Sequence, residues 1–277
     1  MEDPIQSGTY RVDNCGKKVF SGTYYLSEVL NKDSVPQLYQ NHGSSDEEIE
    51  NMKKWLLILS RIVHGDDITY GCTEQQIDEA EERLGISLPK ELRVFYHTVG
   101  NDERLTADGD VKKRDRYLTI DQIYMEEGNI VFRMRKKEPF ALSLDKRQIM
   151  FLDDGNWFWE PCMESFCENT MIVASVFAIS HMKNSAKGRL KGQLVSSLQA
   201  RALAEQAFFP TFQALDTYYH PFCALFYHEQ ERRLGWFRSN GIMSDILIGT
   251  QTAADIEEFG EKHGNIKFKY ANKHGER

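Results

Sequence analysis

The sequence predicts an α+β fold in which N-terminal helices pack on a largely antiparallel, twisted sheet. Three observations carry this. Helical periodicity is concentrated between Asp46 and Gly100, and short strand-like runs follow one another from Tyr117 to Trp159. Beyond them helices and strands return in no regular βαβ order, which points away from a parallel sheet. With 277 residues, 41% hydrophobic and 27% charged, the chain can bury a sizeable core, and disordered, collagen-like and disulfide-scaffold classes are excluded.

Taken in order, Tyr10 to Leu30 mixes Val12, Val19, Phe20, Tyr24 and Tyr25 with two glycines, the pattern of a short hairpin or irregular sheet. Asp33 to Glu50 is a polar loop ending in acids suited to a helix start. Ile49, Met52, Trp55, Leu56, Leu59 and Val63 then recur at helical spacing, and His64–Gly65–Asp66–Asp67 stops them. Thr73 with Gln76 forms a capping box, so a second helix starts there, buries Ile77, Ala80 and Leu84, and ends at Gly85. Pro89 at a first helical position opens a third helix, with Leu92, Phe95, Tyr96 and Val99 on its buried face and Gly100–Asn101 closing it.

A charged loop from Asp102 to Arg116 leads into a strand meander through Tyr117–Tyr124, Asn129–Met134, Phe140–Leu144, Ile149–Leu152 and Trp157–Trp159, with Asp154–Gly155 as a hairpin turn. Met163 to Ser180 and Leu190 to Phe208 read as helices. Ala224–Tyr227, Trp236–Phe237 and Ile246–Ile248 read as strands, Thr252–His263 as a helix and Ile266–Tyr270 as a last strand.

Thirty-four Lys and Arg against 42 Asp and Glu leave a net charge of −8, which repels phosphate backbones and favours a cationic partner over nucleic acid. Five scattered cysteines do not form the even framework of a small secreted domain, and residues 1–11 lack the basic start and apolar run of a signal peptide. A cytoplasmic location is expected, and with no apolar run of spanning length, no membrane.

Candidate chemistry is sparse. Cys162 and Cys167 have no second pair, and His220 and His228 flank only Cys223, so no metal site is assigned. Asp153–Asp154 and Glu126–Glu127 are adjacent pairs that point apart on a strand, and they read better as turn residues than as a catalytic acid and base. No phosphate loop, nucleophile elbow or His-Glu-x-x-His motif occurs, so neither an enzyme nor a cofactor is expected. Lys183, Lys187, Arg189, Lys191 and Arg201 lie in a stretch with no acid, read either as a solvated face or as a contact for RNA or an acidic partner. Trp157 and Trp159 share one strand face, as core or as a recognition anchor.

The run from Thr73 to Asn101 resembles the opening motif of the SUKH superfamily. Its pattern stands here as Ile77, Ala80–Glu81, Leu84–Gly85, Leu88–Pro89, Leu92, Phe95–Tyr96 and Gly100–Asn101. The later meander, the aromatic strand 156–159 and the apolar helix after it look like the family's later elements. The resemblance divides the chain into an extension (1–67), a SUKH-like domain (68–182) and a C-terminal α/β extension (183–277) that could continue the same sheet. It implies a binding scaffold, in bacteria an immunity protein that neutralises a cognate basic toxin such as a nuclease or nucleic-acid deaminase. In the fungal Smi/Knr relatives it implies a regulatory scaffold. The contact surface expected from charge and loop position comprises Asp102, Glu103, Asp108, Asp110, Asp153 and Asp154, with Trp157 and Trp159.

Overall fold

The computed structural model describes residues 10–12, 18–20, 44–65, 68, 70–110, 115–152, 160–161, 165–190, 212–217, 220–239, 244–262 and 266–273. The chain divides into two compact units, Met1–Asn41 and His42–Arg277. The first holds an antiparallel hairpin, β1 (Tyr10–Val12) on β2 (Lys18–Phe20), with Tyr10 opposite Phe20. The rest of this section concerns the second unit.

Its first helix, α1 (Asp46–His64), starts at a capping box that the sequence pattern did not single out. Ser45 Oγ accepts from Glu48 N–H at 3.2 Å, and the Glu48 carboxylate accepts from Ser45 N–H at 2.6 Å. The first-turn acids Asp46, Glu47 and Glu48 suit the positive end of the helix dipole, and Gly65, at φ 83°, ends it. Helix α2 (Glu74–Leu84) begins at the expected Thr73–Gln76 box and ends at Gly85, φ 70°. In α3 (Lys90–Val99), Pro89 stands just before the helix, one position earlier than expected. Gly100 keeps right-handed geometry, so its need for glycine is steric: a Cβ there would lie 2.6 Å from Tyr96 O and 2.7 Å from Cys72 Sγ. The expected loop after Asn101 contains a short helical turn, α4 (Glu103–Thr106), capped by Asp102.

The first sheet consists of β3 (Asp115–Tyr117), β4 (Tyr124–Glu126), β5 (Asn129–Arg135), β6 (Glu138–Ser143), β7 (Ile149–Phe151) and β8 (Glu160–Pro161). Its order is β3-β5-β6-β7-β8, all antiparallel, and β4 also pairs with β5. Strands β3 and β4 use successive stretches of β5, with Tyr117 opposite Arg133 and Tyr124 opposite Val131. The turn between them is held by Arg83 of α2, which donates to the carbonyls of Ile120 (2.9 Å) and Ile123 (2.8 Å).

Helix α5 (Phe166–His181) starts at a third capping box, Ser165–Glu168, and buries residues on nearly every side, including Phe166, Met171, Ala174, Phe177 and Ile179. A helix apolar all round must be enclosed. It packs against α1, α3 and α4 and against the second sheet. That sheet comprises β9 (Asn184–Leu190), β10 (Phe212–Thr217), β11 (His220–His228), β12 (Arg233–Ser239), β13 (Ser244–Thr250) and β14 (Ile266–Lys273) in the order β10-β11-β12-β13-β9-β14. Helix α6 (Ala253–Lys262) connects β13 to β14.

The protein is therefore α+β with antiparallel pairing, but the strands after residue 183 form a sheet of their own. Strand β9 occupies part of the acid-free basic stretch read as a solvated face or a contact, and β10 has no counterpart among the strands expected from sequence. The helix expected over 190–208 lies outside the described residues, apart from Leu190, which ends β9.

Candidate interaction surface

The motif residues Ile77, Leu92, Phe95 and Tyr96 are fully buried, and Leu88 and Val99 nearly so. Tyr96 also donates its hydroxyl to Leu118 O at 2.8 Å, joining α3 to the sheet. Glu81 is the polar hinge of the motif. Its Oε1 accepts from Leu88 N–H (2.8 Å) and from Arg93 Nη1 (2.9 Å), fixing the α2–α3 turn. Arg93 also reaches Glu74 and Asp78, and its guanidinium pKa is raised, first by the bond to Glu81. Asn101 donates from its backbone to Tyr70 O (2.8 Å) and from Nδ2 to Gly71 O (3.1 Å). The motif thus holds α2, α3 and the first sheet together.

Two further ion pairs fasten the first sheet, one to α3 and one between its own strands. Buried Glu91 of α3 receives both arms of Arg147 from the β6–β7 turn. Arg133 of β5 makes a two-pronged pair with Asp115 of β3, both bonds 2.8 Å, and its guanidinium lies 4.8 Å from the centroid of Phe140.

The expected contact acids separate. Asp102 is not on the surface: it is 2% exposed, its Oδ1 accepts from Arg104 N–H at 3.1 Å, and both oxygens lie 3.0–3.1 Å from His64 Nε2. Charge type and loop position had implied exposure, whereas a helix cap and a histidine partner hold this carboxylate inside. Glu103 and Asp110 are exposed and Asp108 is half-buried. Asp108 accepts from Asp110 N–H (2.8 Å), and Gly109 N–H donates to Ser180 Oγ (2.8 Å) at the end of α5. The loop carrying these acids is therefore fastened to the core. Asp153, Asp154, Trp157 and Trp159 lie outside the described residues.

Two exposed apolar side chains were not singled out as contacts from sequence, Ile68 (54%) and Tyr124 (40%). Tyr124 was legible only as a strand residue; its exposure follows from its place on the short β4, which pairs along just three residues of β5. An open groove of about 350 Å³ also lies between α6 and β14, its lining including Glu257, Glu261 and Phe268.

The thiols of Cys72 and Cys167 are buried, which pushes their pKa up to about 11 and about 12. Neither is a ready nucleophile at neutral pH. Among the described residues no group of three or more His, Cys, Asp or Glu side chains could hold a metal ion. No described helix is long and apolar enough to cross a membrane.

The described part of residues 71–177 is an α+β domain, with α2 and α3 joined to an antiparallel meander and closed by α5. The model of the SMI1 / KNR4 family (SUKH-1) matches residues 71–177. The resemblance read from the α2–α3 motif holds over that segment, and the match supports an interaction domain of the immunity or Smi/Knr type. No curated protein matches the chain.

Proposed function

We propose that the protein is a cytoplasmic bacterial immunity protein that binds a cognate toxin and neutralises it in a tight non-covalent complex. The observation that carries this reading is the match of residues 71–177 to the SMI1 / KNR4 family (SUKH-1). The toxin is a basic protein, a nuclease or nucleic-acid deaminase, because enzymes that grip phosphate carry positive charge and a chain of net charge −8 steers them in. Glu103, Asp108 and Asp110 contribute the acidic contacts, with Asp153, Asp154, Trp157 and Trp159 completing the surface. Occluding an active site needs shape and charge complementarity, so the protein acts without a cofactor or chemistry of its own.

The test has two stages. Proteins retained by the chain from its own cells are identified, and each is expressed alone and together with the chain. A partner that kills when alone and is harmless in company supports the proposal, as does loss of protection when Glu103, Asp108 and Asp110 are changed to lysine. A retained kinase or envelope-synthesis enzyme, with no toxicity to relieve, overturns it in favour of a regulatory scaffold of the Smi/Knr type.

A further inference from the structure

The second sheet has one face that changes character along its width. Residues directly opposite in antiparallel register share a face. One row runs Leu225, Trp236, Leu247, Lys187, Lys269, and the row beside it pairs Asp245 with Arg189 and Arg189 with Lys267. At the β11–β12 end this face is apolar and joined to the core: Leu225 and Leu234 are buried, Trp236 and Leu247 pack beside them, and Tyr227 meets Trp55 of α1 edge to face at 5.1 Å. At the β9–β14 end it is open, with the side chains of Lys187 and Arg189 58% and 53% exposed.

Two features set this end apart from an ordinary solvated surface. Lysine on an edge strand is a common guard against unwanted pairing, which accounts for Lys269 on the edge strand β14, but Lys187 and Arg189 stand on β9, which lies between β13 and β14 and has no free edge to protect. Moreover, Lys187 stands directly opposite Lys269, so like charges face each other across neighbouring strands, an arrangement that destabilises a sheet. It occurs in a chain with an excess of acids. The carboxylate in these rows, Asp245, accepts from Arg189 Nε at 3.1 Å and lies 3.8 Å from Lys187 Nζ, so the surface already binds one carboxylate.

We propose that the open face of β9 and β14 is a second interaction surface, which takes an acidic segment of a partner protein through Lys187, Arg189 and Lys269. Carboxylates spaced along an extended segment relieve the cross-strand repulsion that the sheet bears alone. Single-stranded nucleic acid fits less well, because such sites add aromatic platforms for the bases, and the large apolar side chains exposed among the described residues, Ile68 and Tyr124, lie elsewhere. None of these residues belongs to the acidic contacts proposed for the toxin.

The experiment measures binding of the whole chain to a fluorescent peptide of alternating glutamate and serine, and to an oligouridylate of equal charge, across a salt series. The expected result is peptide binding that weakens with salt, falls about tenfold in Lys269→Glu and in Arg189→Gln, and is unchanged in Lys54→Glu on α1. Lys269→Glu also separates binding from folding, since removing the repulsion with Lys187 leaves the melting temperature unchanged or raised while affinity drops. Changing Glu103, Asp108 and Asp110 to lysine leaves peptide affinity intact, so this proposal and the immunity reading fail independently. No peptide binding at low salt, affinity indifferent to both variants, or tighter binding of the oligouridylate overturns the proposal.

Discussion

Arg232, in the turn between β11 and β12, closes the carboxyl end of α1 by donating from Nη2 to Val63 O at 2.6 Å and from Nε to Ile62 O at 2.8 Å. The last carbonyls of a helix have no partners within it, and a cation there also meets the negative end of the dipole. Arg104 adds a bond to Val63 O at 3.2 Å, and Arg61 pairs with Glu229 in the same turn as Arg232. One turn of the second sheet thus anchors on the helix that packs beside α5. Arg232→Ala is expected to lower stability by about 1–3 kcal/mol, the range for hydrogen bonds from a charged donor. Arg232→Lys recovers only part, since an ammonium lacks the fork that spans two carbonyls. Urea midpoints for the two variants check this, and equal stability of Arg232→Ala and the parent would remove the anchor.

Gly71 should be the least replaceable glycine of the α2–α3 region. Segment 70–72 lies against the end of α3, with Cys72 N–H donating to Tyr96 O at 2.8 Å, and a Cβ on Gly71 would fall on the His97 carbonyl, well inside van der Waals distance. Backbone stands in the way, so no rotamer change relieves the clash. Gly71→Ala is expected to cost about 3 kcal/mol or more, or to abolish soluble folding. Gly85→Ala meets no atom and costs only about 1 kcal/mol for its left-handed φ of 70°. Similar denaturation midpoints for the two variants would contradict the packing of this segment.

What the sequence made legible was largely local. The Thr73–Gln76 box and the Gly85 cap depend on residues a few positions apart, and both appear as read. Asp102 was misread because its cap partner is local but its enclosure comes from His64, 38 positions away. Strand β9, Asn-Ser-Ala-Lys-Gly-Arg-Leu, has little strand propensity, and Gly188 is needed because a Cβ there would lie 2.6 Å from Ile266 Cγ2. Its conformation is set by β13 and β14 on either side, information held far along the chain. For the same reason the division into two sheets could not be read from the succession of strands.

Strongly alkaline pH should destabilise the fold, and neutral or mildly basic pH should not. Burial raises Cys72 from 9.0 to about 11, Cys167 from 9.0 to about 12 and Tyr117 from 10.0 to about 12. Each group is uncharged when protonated, and its folded pKa lies above its unfolded one. Its contribution is therefore complete below about pH 9 and is lost as pH rises through the folded values, at a limit of about 1.4 kcal/mol per pH unit for each group. Urea midpoints should fall steadily above about pH 9, less so in Cys72→Ala/Cys167→Ala than in the parent. A thiol reagent at neutral pH should label Cys72 and Cys167 only after unfolding; rapid labelling of either in the native protein, assigned among the five cysteines by peptide mass spectrometry, would show that it is not enclosed.

The pair between Asp115 and Arg133 is costly to break from one side. Arg133 is 5% exposed, its guanidinium is stacked near Phe140, and Nη1 reaches Asn169 Oδ1 at 3.3 Å, so β3, β5 and α5 meet at this group. Taking charges out of water is expensive, and attraction between them offsets that only while both remain. Asp115→Asn leaves a buried cation, and Arg133→Met leaves a carboxylate whose side chain is only 15% exposed. Each is expected to lose about 3–5 kcal/mol, whereas the combined Asp115→Asn/Arg133→Met variant loses clearly less than the sum because no charge is left alone. A double-mutant cycle in urea measures the coupling directly. Simple additivity would mean that the two side chains act independently, and that the join between β3 and β5 rests on the backbone pairing of Asp115 with Arg135 and Tyr117 with Arg133.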